Sequence, residues 1–135
     1  HAQKADETGN VIIDGFTTHE PEMVKASKSV IVSCEELVGT DTIRSDPDGT
    51  AVPYIYVDAV VVQPWGAYPT STYRYYEHDE AHLRYYQSCA RAGGEAYDEY
   101  LRKAVYDHAT FDDFLTKAAT MDRLRKLSES MRELL

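Results

Sequence analysis

Two glutamates in succession, Glu35 and Glu36, close the run Ser29-Val30-Ile31-Val32-Ser33-Cys34. A short, continuous apolar run reads as a strand buried on both faces, usual in a parallel sheet. Ligands of open α/β sheets bind beyond the carboxyl ends of strands, so a carboxylate there can bond a ligand or orient a partner's catalytic group. The plainer alternative is a pair of solvated side chains capping a turn. Asp58 stands inside another apolar run, where an unpaired carboxylate is costly to bury. It is expected either at a solvent-facing edge or bonding backbone amides at a bend. His78 and His82 share one helical face, but Asp79 stands where zinc hydrolases of this spacing carry Glu. Acidic residues in a first turn are explained by the helix dipole, so a solvated helix start is expected and no metal site. Cys34 ends an apolar strand with no base placed for it, and free cysteine is usually a buried residue. The tyrosines between Tyr73 and Tyr100 suit packing at a subunit interface. No glycine-rich phosphate loop and no Ser/His/Asp ordering is present.

The elements that must position these groups follow from patterning. Gly9-Asn10 between extended segments predicts a hairpin joining strands over 1–6 and 10–14. Pro21 to Ser27 predicts a short helix with proline in its first turn. Residues 39–53 are rich in turn formers and read as an excursion with one helical turn near Thr42 to Ser45. Ile55 to Gln63 reads as another buried strand, closed by Pro64, Gly66 and Pro69. Helices are expected over about 78–92, 95–107 and 111–134, the first two separated by Gly93-Gly94 and the last amphipathic throughout. The class is therefore α/β, a small parallel or mixed sheet of three or four strands followed by helices. Such a sheet has exposed edges that want a partner.

At 135 residues the chain has room for one domain, strand-rich over 1–70 and helical over 77–135. Apolar residues are 43% and charged residues 27% of the total, a globular composition. A formal charge of −9 disfavours nucleic acid and acidic membrane surfaces as partners. No apolar run approaches a membrane span. Two cysteines, Cys34 and Cys89, are too few for a disulfide framework, so a cytoplasmic setting is expected. The chain opens on His1-Ala2-Gln3-Lys4, without Met or an early hydrophobic stretch, and reads as a piece of a longer polypeptide.

Taken in order, several short motifs reinforce one another. They are His1-Ala2-Gln3-Lys4-Ala5-Asp6 with Gly9-Asn10; Ala26, then Ile31-Val32, Glu35-Glu36 and Val38; and Pro53, then Val57-Asp58-Ala59-Val60-Val61. Pro64-x-Gly66-Ala67-x-Pro69 completes the series. This succession resembles the A-type subunit of the family I coenzyme A transferases, of the glutaconate type. The match runs through most of residues 1–76, with Tyr68 standing where the family's Gly-Ala-His-Pro turn has histidine.

The resemblance implies the C-terminal half of such a subunit, with an open sheet of the NagB/RpiA/CoA-transferase-like kind. It implies as partners the N-terminal half of the same A-type subunit and a B-type subunit that carries the attacking glutamate. The substrates would be an acyl-CoA and a carboxylic acid, with coenzyme A as substrate and no tightly bound cofactor. In the implied reaction, CoA moves through an acyl anhydride and a glutamyl-CoA thioester. On this reading His1, Gln3, Lys4, Asp6, Asn10 and Glu36 form the floor of a shared cleft, Lys4 and Asp6 can pair on one strand face, and Glu35 supports catalysis. The rivals are a related hydrolase that opens a ring in a CoA thioester during steroid breakdown, a non-catalytic effector-binding module, and a plain interface domain.

Overall fold

The computed structural model describes all 135 residues, which fall into two compact units. Residues 1–68 and 72–74 form the first, and residues 69–71 and 75–135 the second.

The first unit is built on a five-stranded mixed sheet in the order β4-β2-β1-β3-β5. Its strands are β1 (Ala2–Asp6), β2 (Val11–Ile12), β3 (Ile31–Val38), β4 (Thr50–Val52) and β5 (Ala59–Val62). β1 and β2 form the expected hairpin, with Lys4 opposite Ile12 and Ala5 opposite Val11. β3 runs parallel to both β1 and β5, pairing Ala2 with Cys34 and Ile31 with Ala59. Buried Ala2, Ala5, Val11, Val32, Cys34 and Val52 make the core, flanked by Val24 of helix α1 (Glu20–Ala26). Each buried valine contributes on the order of 2 kcal/mol by leaving water.

Three expectations need correction. β3 does not stop at Glu35-Glu36 but continues to Val38, because Ala5 and Asp6 of β1 go on pairing with Leu37 and Val38. The second apolar run is not one buried strand: Tyr54–Tyr56 is a 3-10 turn, and only Ala59–Val62 is extended. β5 is an edge strand with Val61 and Val62 about half exposed, and Ile31 beside it is largely exposed. The turn-rich excursion also hides a strand, since β4 pairs antiparallel with β2 after helix α2 (Thr40–Arg44). Its register with residues far back in the chain left no local signal.

The β1–β2 turn is held by one side chain. Asp6 is fully buried and accepts from the backbone N–H groups of Thr8 and Asn10, the Thr8 hydroxyl and the Asn10 amide, at 2.7 to 3.0 Å. Burial alone would push its pKa up; the bonds from Asn10 and Thr8 outweigh that and bring it to about 2. Gly9 at φ +100° completes the turn, where a Cβ would also crowd Val57.

The second unit is helical: α3 (Glu80–Ala92), α4 (Gly94–Leu101), α5 (Phe111–Ala118) and α6 (Met121–Leu134). α4 runs into a π-helical segment, Arg102–Tyr106, where the sequence predicts continued α-helix. The amphipathic stretch over 111–134 is two helices, because Thr120 starts a new one by accepting from the Arg123 N–H. Asp79 likewise caps α3 by accepting from the His82 N–H, and it pairs with Arg123. No helix is long and apolar enough to cross a membrane.

Because folding lowers the Asp6 pKa, the stability it supplies is complete above 3.8 and is lost as pH falls toward 2. Asp6→Asn should therefore cost roughly 1.5–3 kcal/mol at neutral pH. The gap between variant and parent in thermal melts should close as the buffer is acidified through that window.

Candidate functional site

Glu35 is the residue around which the site is built. Strand pairing puts it mid-strand on β3, and alternation places Ser33 and Gln3 on the same face, Gln3 lying beside it on β1. Glu35 is buried, with its side chain only 4% exposed. Isolated, such a charge would be very unfavourable. It is not isolated: its Oε1 lies 2.7 Å from His1 Nε2, and Oε2 accepts from the Trp65 backbone N–H at 2.8 Å. The Thr72 hydroxyl adds a longer bond of 3.4 Å to Oε1. The other ring nitrogen of His1, Nδ1, lies 2.8 Å from Ser33 Oγ. Because a carboxylate only accepts, His1 Nε2 is the donor in that bond, and the ring is held from its other side by the Ser33 hydroxyl.

The peptide that Glu35 holds has an unusual backbone. Trp65 lies just past β5 at φ 65°, a left-handed conformation that costs a bulky residue about 1–2 kcal/mol. The next residue, Gly66, packs against His1: an added Cβ would come within 2.6 and 2.7 Å of the imidazole and 2.9 Å of the Gln63 carbonyl. Only glycine fits there.

Gln3 does for a second loop what Glu35 does for the first. It is buried; its Oε1 accepts from the Asp14 N–H at 3.1 Å, and its Nε2 donates to the Asp14 and Tyr73 carbonyls at 3.4 Å each. The residue after Tyr73 is Arg74, the other non-glycine residue with positive φ, at 71°. Two neighbouring buried polar side chains on one sheet face thus each hold a loop carrying one left-handed residue.

The remaining candidates divide by place. His1, Gln3 and Glu35 come together on this face. Lys4 and Glu36 are paired in register on the opposite face, with Glu36 exposed. Asp6 and Asn10 bond each other in the hairpin turn, so the Asp6 oxygens are directed to Thr8 and Asn10 and not to Lys4.

The other candidate groups also find their places. Asp58 accepts from the Val30 N–H at 2.7 Å, one of the two expected outcomes. Burial pushes the Cys34 thiol up in pKa, with Glu35 adding to the effect, which keeps it protonated and weakly nucleophilic. His82 is lowered by burial and lies 3.1 Å from the Tyr100 hydroxyl. Tyr76 and Tyr100 are buried within the helical unit, where Tyr85, Tyr86, Tyr97 and Tyr100 pack ring against ring.

Reading the sequence alone missed Ser33, Trp65, Thr72 and Arg74. Gly66 after Pro64 marks a turn, but nothing local shows that the turn folds back onto β3.

With this geometry in hand, comparison with known proteins is direct. Residues 1–63 match the coenzyme A transferase family model. That match spans a little under half of the chain. The chain is similar to the A-type subunit of glutaconate CoA-transferase from Acidaminococcus fermentans, at 35% identity over 117 residues, 87% of this chain and 36% of the relative. It superposes on the crystal structure of the glutaconate enzyme with a TM-score of 0.88, covering 94% of this chain and 39% of that one. The A-type subunit of 3-oxoadipate CoA-transferase from Pseudomonas knackmussii is 30% identical over 119 residues, 88% of this chain and 41% of the relative. A decarboxylase, AibA/AibB, superposes less closely, with a TM-score of 0.62 at 32% identity over 78% of this chain and 37% of that one. The chain therefore spans little more than a third of the length of these relatives. The α/β class and open sheet expected from the sequence agree with the glutaconate enzyme.

Gly66→Ala should push the His1 ring away from Glu35 and lower stability by about 1–3 kcal/mol. A denaturant titration of the first unit's unfolding would measure this, and a wild-type midpoint would show that the turn yields without cost.

Proposed function

We propose that this chain is part of the A-type subunit of a coenzyme A transferase that moves CoA between an acyl-CoA and a carboxylic acid. The observation that carries this reading is the close superposition on glutaconate CoA-transferase at 35% identity. The acids in the names of the two transferase relatives, glutaconate and 3-oxoadipate, each have a second carboxylate. A dicarboxylic acid is therefore the acceptor class proposed here.

The nucleophilic glutamate comes, on this reading, from a separate B-type subunit. That assignment is supported by the state of Glu35, whose two oxygens are engaged and whose side chain is shielded. A carboxylate so held is suited to fixing geometry and poorly suited to attack. In the proposed reaction the partner's glutamate attacks the thioester carbonyl and expels CoA as thiolate, leaving a mixed anhydride. The thiolate then attacks the glutamyl carbonyl and releases the first acid; the second acid runs the sequence backwards. Anhydrides hydrolyse, so the cleft must exclude water, and each tetrahedral intermediate needs donors for its oxyanion. His1, Gln3 and Glu35 are proposed to support the wall of that cleft. Lys4 and Glu36 on the opposite sheet face, and Asp6 and Asn10 in the hairpin turn, are proposed to brace the strands of that wall from behind.

The test is to mix the full assembly with an acyl-CoA and a second carboxylic acid. A new acyl-CoA is expected; free CoA would mark a hydrolase and carbon dioxide a decarboxylase. Glu35→Gln should lower turnover by about ten- to a hundredfold through misplacement of the Trp65 turn. Unchanged turnover would leave Glu35 a scaffold residue.

A further inference from the structure

The loop held by Gln3 carries a cation with no hydrogen-bonded partner. The Arg74 side chain is 57% exposed, and its guanidinium makes no hydrogen bond within the chain. Its nearest acidic group, Asp14 Oδ2, lies 3.7 Å from Nη1, beyond hydrogen-bond reach. The guanidinium also sits 5.6 Å from the centroid of the Tyr73 ring, over its face. This placement is not a relaxed surface conformation. The backbone of Arg74 is left-handed at φ 71°, and Gln3 bonds the carbonyl just before it. Gly15, at φ +92°, clears room for Tyr73, since a Cβ there would come within 2.9 Å of that ring.

Gln3 thus holds the backbone next to a left-handed arginine whose guanidinium has only a long ion pair and a ring contact, on a chain with a formal charge of −9. In such a field an accessible guanidinium is a selective point for an anion. Its planar fork matches a carboxylate in two parallel bonds.

We propose that Arg74 is a substrate-binding residue that pairs with the distal, non-reacting carboxylate of a dicarboxylic acid, with Asp14 as an internal competitor for the same guanidinium. The inference rests on the transferase reading and adds the residue that selects the acid. Remote binding of this kind places the reacting carboxylate without taking part in the bond changes.

Glutarate and pentanoate have the same carbon number and differ in the distal carboxylate, so they are the probes. In the full assembly the wild-type kcat/KM should favour glutarate. Arg74→Gln, which removes the charge and keeps the Cβ–Cδ stem on the same backbone, should reduce that preference about tenfold, chiefly through the glutarate KM. Asp14→Asn should strengthen it. Equal losses for both acids would overturn the proposal and point to a contact with the CoA ester or to general damage. So would a wild-type preference near one, or a preference unmoved by either variant. Calorimetric titration of each acid into wild-type and Arg74→Gln protein gives the same comparison without turnover. Glutarate binding that depends on Arg74 in an assembly that transfers no CoA would uphold this site and defeat the transferase reading. Binding equal in wild type and variant would defeat the site alone.

Discussion

A carboxylate buried in the middle of a parallel strand is tolerable only if every oxygen is answered. In this protein the answer comes from an imidazole on one side and a backbone N–H on the other. Glu35 therefore determines more than its own surroundings. Its bond to Trp65 fixes the turn after β5, and its bond to His1 fixes the start of β1. With Gly66 pressed against the imidazole, the three segments form one closed arrangement. Loss of one member leaves an unanswered charge, so the arrangement is either complete or badly strained.

The same logic is repeated one strand over with a neutral group. Gln3 has both an acceptor and donors, so it can bind an N–H and two carbonyls at once without any charge to compensate. Together the two side chains convert a sheet face into an anchor for loops that would otherwise relax. Strained residues of this kind persist where surrounding structure over-determines them, and they concentrate where ligands are held.

How much of this was legible in the sequence can be argued residue by residue. The hairpin at Gly9-Asn10 and the short helix expected over Pro21 to Ser27 and found at Glu20–Ala26 are legible, because each rests on local chemistry. The end of β3 is not legible, because the strand runs on past the point where polarity begins. Glu35 stays inside it only through partners 34 and 30 positions away. β4 escaped notice because three residues in a turn-rich segment become a strand only by pairing with β2. The break before α6 has a local cause in Thr120, yet the three- and four-residue apolar spacing runs across it and conceals it. Trp65 and Arg74 were illegible as left-handed residues, since neither residue type favours that conformation.

Trp65 is the only tryptophan among these residues. A residue with a left-handed backbone is thus also the one indole chromophore here, and its amide is tied to Glu35. Its emission reports the state of the sheet unit, whereas the tyrosines are shared, with Tyr54, Tyr56, Tyr68 and Tyr73 in that unit and Tyr85, Tyr86, Tyr97 and Tyr100 in the helical one. Unfolding of the sheet can therefore be followed at its own indole without any added dye.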